Sequence, residues 1–551
     1  MPPIPPLHVL LNDRPITILS GTTIAQMLAL HPHPGTAPAI GAVVDNRIGG
    51  LNRAIQHAAR ITTIDTTMRE GMEIYRRTAG MIFYAALARF DPEARVVIGQ
   101  SIDDSYFFEP IGFSPTAGHI ARLEEIMRDY VGADLPLDPV WTPIEEAIQI
   151  FERLGRQDRV LLLRQMRRSD LPLLTIDQYI GYVHGPVAPQ TGLINHFRLH
   201  PYASGLLLQF PGKNGEFPDQ VPQRPKLFAT YMETKAWQQL MGVANVARLN
   251  EMVSGGTVSE VVLVAEALHE KKIAAISDTI KARRDVRFLF IAGPSSSGKT
   301  TFSKRLAIQL QVIGLKPVAL SMDNYYRNRE NSPLHPDGSY DFESVEALDL
   351  GLFNTQLQQL LKGALVETPI FSFPRGRRIH KTHPLQLHAG QVILIEGIHA
   401  LNPRIAEAIP RESCFKIFVS ALTQICIDDH NRIFTSDCRL IRRIVRDWKF
   451  RGTNAAETIT IWPSVRAGEE RWIYPFQEDA DVMFDSALCY EQAVLKNYAE
   501  RYLTEVPNEH PSYVEALRLF RFLDLFVPLQ SEDVPHTSIL REFIGRSAFR
   551  Y

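Results

Sequence analysis

The spacing of apolar and polar positions predicts different structures in the two halves of the chain. Near the start, LHVLLNDRPITILS alternates as a β-hairpin does, and the pattern changes to helical spacing after the capped start Gly21-Thr22-Thr23. Much later, VRFLFIAG is a short apolar run that predicts a buried strand, and TTFSKRLAIQLQVIG has helical spacing up to a C-cap candidate, Gly314. A glycine-rich turn separates this strand from this helix.

Two further strands are predicted after that helix. One runs from Val318 to Ser321 and leads into MDNYY, and the other runs from Val392 to Ile395 and ends in Glu396. If both belong to one parallel sheet, their polar ends lie at the edge where open α/β sheets bind ligands.

Long helical patterns precede the glycine-rich turn. The segments PKLFATYMETKAWQQLMGVANVARLNEMV and VSEVVLVAEALHEKKIAAISDTIKARR predict helices, and the second leads directly into the strand before the turn. We therefore expect the N-terminal part to pack against the rest of the chain, with His269 on a helix surface. The tail VPHTSILREFIGRS has apolar helical spacing and is expected to pack on the body or at a subunit contact.

Composition narrows the class of protein. The 551 residues are 45% hydrophobic and 22% charged, with a formal net charge of −2, which gives no global electrostatic reason to bind nucleic acid or membranes. No leader pattern opens the sequence and no run approaches 18 apolar residues. The four cysteines are widely spaced, without a CxxC pair, which argues against a zinc site or a disulfide framework (Cys414, Cys426, Cys438 and Cys489). We expect a soluble cytoplasmic protein.

The glycine-rich turn, GPSSSGKT, matches the phosphate-binding pattern GxxxxGK[ST]. Placed between a strand and a helix N-terminus, it aims backbone N–H groups at one point, where Lys299 can meet the β- and γ-phosphates and Thr300 can hold Mg²⁺. The alternative is a turn that matches by chance. The predicted cofactors are ATP and Mg²⁺, and the predicted ATP-binding residues are Gly293, Ser295, Ser296, Ser297, Gly298, Lys299, Thr300 and Thr301.

Carboxylates follow the two neighbouring strands. Asp323 could take a proton from an acceptor hydroxyl, and Glu396 stands where a carboxylate orients Mg²⁺ or its water shell. On the segments alone, a capping or turn aspartate and a turn glutamate remain alternatives.

Several ordered motifs between Phe288 and Leu503 resemble the uridine kinase and phosphoribulokinase family of P-loop kinases. GPSSSGKTT resembles its Walker A motif, and SMDNYY resembles the segment that carries the catalytic base, which implies that Asp323 is the base and Tyr325 lies at the substrate. YDFESVEALD resembles the acceptor segment and places Glu343 where the family usually has an aspartate near metal and acceptor.

The segment SDCRLIRRIVRDWKFRG resembles the family's arginine-rich lid. Guanidinium groups on a mobile lid can bind the charge that spreads over the transferring phosphoryl group. Because residues four apart share a helix face, the arginines cannot all point one way, and a solvated basic face is the alternative. We favour Arg439 and Arg442 for the site, from the set Arg439, Arg442, Arg443, Arg446 and Arg451.

The acceptor segment TPIFSFPRGRRIHKTH departs from the nucleoside-kinase pattern. Phe371 and Ser372 replace a tyrosine and an aspartate, and Gly376 falls where the resemblance implies a histidine. Phe371 can stack on a base but cannot form a hydrogen bond through its side chain. Arginines 375, 377 and 378 would suit an anionic acceptor, and the alternative is that they face solvent.

The N-terminal half resembles threonyl-tRNA synthetases. GTTIAQML and VVDNRIGGLNRAI resemble the β-grasp domain that opens those enzymes, and the region after it resembles their second, editing-type domain. Arg77 and Met81 stand where that domain carries an H-x-x-x-H pair, so we expect a scaffold or binding module rather than a hydrolase.

The predicted architecture is α/β, with a doubly wound parallel P-loop domain preceded by a β-grasp domain and an α+β synthetase-type domain. The expected divisions are 1–68, 69–225, a helical connector at 226–284, a kinase domain at 285–505 and a helical tail at 506–551. The resemblance implies phosphorylation of a nucleoside 5′-hydroxyl by a homo-oligomer. A sugar-phosphate kinase and a P-loop regulator or RNA-binding ATPase remain alternatives.

Overall fold

The computed structural model describes residues 6–212, 215–218, 220–221, 223–336, 338–372, 374–407, 409–423 and 425–551. Residues 1–5, at the start of the stretch examined for a leader, and residue 373 of the acceptor segment lie outside the described residues. Across the described ranges, no helix combines the length and the apolar character needed to cross a membrane.

The first unit is a five-stranded sheet with one helix. Its strands, in the spatial order β2-β1-β5-β3-β4, bury one face against the helix. The predicted hairpin is present, with Pro6 opposite Leu19 and Leu11 opposite Arg14. Thr23 caps the helix in a capping box with Gln26, as the sequence indicated. The elements are β1 (Pro6–Leu11), β2 (Arg14–Leu19), α1 (Ile24–Leu30), β3 (Ala39–Val44), β4 (Arg47–Gly49) and β5 (Arg60–Asp65).

The second unit packs a long central helix, α2, against two antiparallel sheets. The sheets have the orders β11-β12-β7-β6 and β10-β9-β8. The buried side of α2 supplies much of this core, including Ile82 and Phe83. The elements are α2 (Arg69–Phe90), β6 (Arg95–Ile102), β7 (Ser105–Ile111), α3 (Ala117–Gly132), β8 (Val140–Pro143), α4 (Ile144–Arg153), α5 (Gln157–Gln165), β9 (Asp170–Ile176), β10 (Tyr179–Tyr182), β11 (Arg198–Tyr202) and β12 (Gly205–Gln209).

Three helices connect this unit to the second half: α6 (Pro225–Met241), α7 (Val246–Ser254) and α8 (Val258–Ala282). The α8 helix packs along the helix that follows the glycine-rich turn. The expectation for His269 is wrong, because its side chain is buried between Trp237 and Phe484. Burial lowers the pKa of His269 to about 3, so the ring is neutral within the core.

The second half is built on a five-stranded parallel sheet with the order β14-β19-β13-β20-β23. The strand before the glycine-rich turn, β13, is central and buried on both faces, which explains its unbroken apolar sequence. The principal elements are β13 (Phe288–Ala292), α9 (Lys299–Val312), β14 (Lys316–Ser321), α10 (Leu350–Leu361), β19 (Gln391–Glu396), β20 (Cys414–Ser420), α11 (Thr435–Phe450), α12 (Ala455–Trp472) and β23 (Val482–Asp485).

Short hairpins and helices complete this half. The tail forms only a single helical turn, α15, but it packs on the body as expected, with Leu540 and Phe543 buried in the same core as α11. The remaining elements are β15 (Val366–Thr368), β16 (Phe371–Ser372), β17 (Arg377–Arg378), β18 (His383–Leu385), β21 (Cys426–Asp428), β22 (Asn431–Arg432), α13 (Glu491–Thr504), α14 (Tyr513–Leu523) and α15 (Arg541–Ile544).

The N-terminal half packs against the second half through the β21–β22 hairpin. Ile98 donates its backbone N–H to the Asp429 carbonyl at 2.8 Å, and the Tyr84 hydroxyl donates to the His430 carbonyl at 2.9 Å. The Tyr84 ring also stacks on the His430 ring, with centroids 3.8 Å apart. These contacts confirm that the N-terminal half is not loosely tethered.

Candidate active site

The glycine-rich turn joins the centre of the sheet to α9 in a conformation that its residues require. A Cβ at Gly293 would lie 1.9 Å from the Val419 carbonyl oxygen, so the close packing of turn and β20 excludes a side chain there. Gly298 caps α9 with φ +82°, a left-handed conformation that favours glycine. The first N–H groups of α9 have no acceptor within the helix and point to where an anion can bind.

Two buried arginines donate hydrogen bonds to backbone carbonyls of this turn. Arg439 donates from Nε to the Ser295 carbonyl at 3.1 Å and pairs with Glu469, which also accepts the Ser295 N–H at 2.9 Å. Arg442 donates to the Ser296 carbonyl at 3.3 Å and pairs with Glu491. Both arginines are fully buried, and the role in phosphate binding expected for them stays a prediction. In this structure they hold the backbone of the turn.

The carboxylates after β14 and β19 meet beside the turn. Ser321 and Glu396 are register partners at the ends of these adjacent strands, and Asp323 follows two residues later. The Thr300 hydroxyl donates to Glu396 Oε1 at 2.7 Å. The structure therefore brings together Lys299, Thr300, Asp323 and Glu396, as the sequence predicted from the strand ends.

The surrounding protein shifts the pKa values of these groups. Burial raises the pKa of Glu396 to about 7, although Lys299 and the Thr300 hydroxyl oppose the shift. The Asp323 side chain contacts solvent, but the protein around the cleft raises its pKa, with Lys299 and Arg451 acting in the opposite direction. Burial lowers the pKa of Lys299, against the attraction of Glu396. Perturbed groups that cluster in this way are typical of catalytic sites.

Of the two adjacent tyrosines, Tyr326 rather than the predicted Tyr325 lies near Asp323 and Glu343. Tyr325 is buried in the core, where its hydroxyl donates to Gln356 at 2.6 Å, and the structure does not bring it to the cleft. The next residue, Tyr326, lies with its ring 5.8 Å from that of Phe371, and its hydroxyl donates to the Phe342 carbonyl at 3.3 Å. Tyr326 therefore takes the position expected for Tyr325.

Glu343 lies close to Arg443 of α11. Burial raises the pKa of Glu343 to about 7, although the Arg443 guanidinium opposes this shift. Arg443 also donates from Nη1 to the Ser295 hydroxyl at 2.9 Å. Arg443, Arg446 and Arg451 all pair with the buried carboxylate of Asp447. Arg446 lies near enough to Lys299, and Arg451 near enough to Asp323, to lower the pKa of each.

The oxygen ligands present fit a magnesium ion that is shared with a nucleotide. Mg²⁺ prefers hard oxygen ligands and is usually held by one or two protein groups together with phosphates and water. Thr300 and Glu396 supply such oxygens side by side. Within the described ranges, no three His, Cys, Asp or Glu side chains converge to hold a metal alone.

A glycine-rich turn between the central strand of a parallel sheet and a helix, with carboxylates at the ends of the neighbouring strands, defines a P-loop nucleotide-binding protein. Residues 288–492 match the sequence profile of the phosphoribulokinase / uridine kinase family. The uridine kinase of Mycoplasma genitalium is 31% identical over 194 residues, which cover 35% of this chain and 82% of that enzyme. The uridine kinase of Schizosaccharomyces pombe is 32% identical over 31% of this chain and 33% of its own length. The chain belongs to the phosphoribulokinase and uridine kinase family.

The N-terminal half is similar to a different class of protein. The threonine–tRNA ligase of Acidithiobacillus ferrooxidans is 27% identical over 34% of this chain, and the match spans only 29% of that ligase. The chain is thus a fusion of a ligase-like N-terminal half with a kinase-family C-terminal half. At the position of the expected histidine pair, Arg77 donates to the Pro186 carbonyl at 2.6 Å, and Met81 is buried in the core.

Proposed function

We propose that the chain is a MgATP-dependent kinase that phosphorylates a small-molecule hydroxyl, the 5′-hydroxyl of a nucleoside. The observation that carries the proposal is the placement of Asp323 beside Lys299, Thr300 and Glu396 at one edge of the sheet. A nucleotide hydrolase has no need of a carboxylate directed at an acceptor, whereas a kinase does.

The proposed division of labour follows from the positions of the groups. The turn and Lys299 bind the ATP phosphates, and Thr300 and Glu396 hold Mg²⁺, which neutralises charge on those phosphates. Asp323 accepts the proton of the acceptor hydroxyl while the hydroxyl oxygen bonds to the γ-phosphorus. The bond from the γ-phosphorus to the β–γ bridging oxygen breaks, and that oxygen leaves with ADP. The pKa values of Asp323 and Glu396 are both raised, so they lie closer to 7 than the pKa values of free carboxyl groups do.

The acceptor is proposed as a nucleoside because the aromatic rings of Phe371 and Tyr326 lie together beside the proton-accepting carboxylate. The two named uridine kinases among the relatives agree with this chemistry. Arg378, which would have suited an anionic acceptor, is already bound to Asp349 at 3.1 Å and to the Tyr325 carbonyl at 2.9 Å. That pairing weakens the case that Arg378 serves a sugar phosphate.

The decisive experiment measures ADP release by the full-length protein with a panel of nucleosides and sugar phosphates. We expect release with several nucleosides, because Phe371 and Gly376 supply no side-chain hydrogen bonds to reject close relatives. A site built to bond a polar group can reject an analogue by about 10⁴ or more. Preference for one nucleoside by that margin contradicts the lost-contact argument. Release with sugar phosphates alone, or without any acceptor, contradicts the nucleoside proposal.

A further inference from the structure

The end of the chain lies against the phosphate-binding turn. Thr301, the residue after the GKT triplet, donates its backbone N–H to Glu542 Oε2 at 3.2 Å and its hydroxyl to the same oxygen at 2.8 Å. The hydroxyl of Tyr551, the last residue of the sequence, lies 2.8 Å from the Thr301 hydroxyl. A carboxylate from the tail therefore occupies donors in the first turn of α9.

Those donors belong to the group that binds phosphate in P-loop proteins. Backbone N–H groups in the first turn of such a helix point toward the anion, and the helix dipole favours negative charge there. Glu542 also lies near enough to Lys299 and Glu396 to shift their pKa values. The Glu542 carboxylate therefore lies close enough to act on the charged groups of the site.

The tail is held in this position by several other contacts. The Phe543 ring lies 5.1 Å from the Arg442 guanidinium, and Lys449 donates to the Ile544 carbonyl. Ile539 is so close to the turn that a Cβ on Gly298 would lie 2.5 Å from its Cγ2. The Tyr551 ring lies under the ammonium group of Lys304 at 5.8 Å. Buried apolar side chains anchor the segment, while Glu542 and Tyr551 extend from it to the turn.

We propose that residues 538–551, the C-terminal segment, are an internal competitor of the nucleotide. The Glu542 carboxylate and a nucleotide phosphate need the same Thr301 donors, and two negative groups at one helix N-terminus repel each other. Nucleotide binding then displaces Glu542 and Tyr551 and loosens the end of the chain, while the apolar anchor stays in place. This inference rests on the proposed binding of ATP at the turn, but not on the identity of the acceptor.

The first test is the affinity of the full-length protein for a non-hydrolysable MgATP analogue, measured by calorimetry without any acceptor. Removing a charge-assisted acceptor should tighten binding, and we expect about tenfold or more for Glu542→Ala. Glu542→Gln keeps the shape of the side chain and should tighten binding in the same direction by less. The matched control is Glu532→Gln, an exposed carboxylate of the preceding turn, which should bind as the unaltered protein does. Unchanged or weaker binding by both Glu542 variants overturns the proposal.

The second test needs no variant, so it remains decisive if Glu542→Ala does not fold. Amide hydrogen exchange over residues 545–551, beyond the apolar anchor, should become faster in the unaltered protein when the MgATP analogue is added, because the contact between Tyr551 and Thr301 is lost. Slower or unchanged exchange overturns the proposal. Because both measurements omit the acceptor, a failure here leaves the kinase proposal intact, whereas absence of analogue binding by every variant refutes the proposed ATP site itself.

Discussion

Asp323 and Lys299 are neighbours whose charges influence each other, yet the proposed mechanism gives them separate tasks. The protein around the cleft raises the pKa of Asp323, and the nearby ammonium group of Lys299 opposes that shift. Lys299 donates to the Pro294 carbonyl at 3.0 Å, so the turn holds its side chain in place. The proposed mechanism assigns Asp323 to the acceptor and Lys299 to the phosphates, so single substitutions can separate the two roles.

We expect Asp323→Asn to preserve ATP binding while phosphoryl transfer falls by about 10² or more, the usual scale for loss of a general base. Lys299→Ala should weaken ATP binding and transfer together, since its phosphate contact is made both before and during the reaction. ATP affinity and single-turnover transfer measure the two effects. The control, Asp278→Asn on the exposed face of α8, should change neither. Transfer at the unaltered rate by Asp323→Asn would remove this carboxylate from the mechanism.

The adjacent tyrosines show why the sequence could not settle every site residue. Met322–Tyr325 form a 3-10 turn, whose side chains follow neither the period of a strand nor that of an α-helix. The SMDNYY motif locates the cleft, but only the tertiary fold determines which ring enters the core and which borders the acceptor. Tyr325 packs against Phe353, and Tyr326 lies beside Phe371.

At the scale of elements, the phosphate-binding turn depends on two buried ion pairs. Arg442 and Glu491 are almost completely shielded from water, and the same guanidinium donates to the Ser486 carbonyl at 2.9 Å. The strand, turn and helix of the site were predictable because each has a local pattern. The partners Glu469 and Glu491 could not be predicted, because they lie on later helices and no local spacing links them to the arginines of α11.

We expect Arg442→Ala to destabilise the protein by about 3 kcal/mol or more, because it leaves the buried Glu491 carboxylate without its cation. The shift in urea midpoint, followed by tryptophan fluorescence, measures the loss. Arg122→Ala is the matched control, since the Arg122–Glu125 pair is solvent-exposed on both sides and its loss should shift the urea midpoint far less. Equal shifts for the two variants would show that Arg442 does not support the turn.

The β21–β22 hairpin carries a titratable contact between the halves of the molecule. Burial, together with Asp158 and Asp428, raises the pKa of Asp429 from 3.8 to about 7. The folded protein therefore binds this proton more tightly than the unfolded chain does, so its contribution to stability is present at low pH and is lost as pH rises toward 7.

Asp429→Asn should flatten this part of the pH profile. Thermal unfolding measured between pH 5 and 8 should show the unaltered protein losing stability relative to the variant as the pH rises through about 7. Asp285→Asn, just before the central strand, serves as the control because Asp285 is exposed. Parallel profiles for all three proteins would contradict the assignment.

At the scale of the whole molecule, the fusion and the parallel sheet were visible in the sequence, whereas the contacts between distant parts were not. Each hydrogen-bonded sheet lies inside one of the predicted domains, because alternation and apolar runs report local structure. His430 meets Tyr84 across 346 residues, and Glu542 meets Thr301 across 241. Such pairings depend on the assembled fold, and a single sequence gives no signal for them.

The last prediction concerns the role of the ligase-like half. Arg77 donates to the Pro186 carbonyl and lies against Gly185, and neither Arg77 nor Met81 can replace a histidine as a metal ligand. We therefore expect the full-length protein to release no amino acid from mischarged tRNA above the buffer background. We also expect zinc well below one atom per chain by elemental analysis. An editing-competent threonine–tRNA ligase, assayed in parallel, shows that the substrate is intact. Rapid release by this protein, or one zinc per chain, would contradict the scaffold interpretation and assign a second chemistry to the N-terminal half.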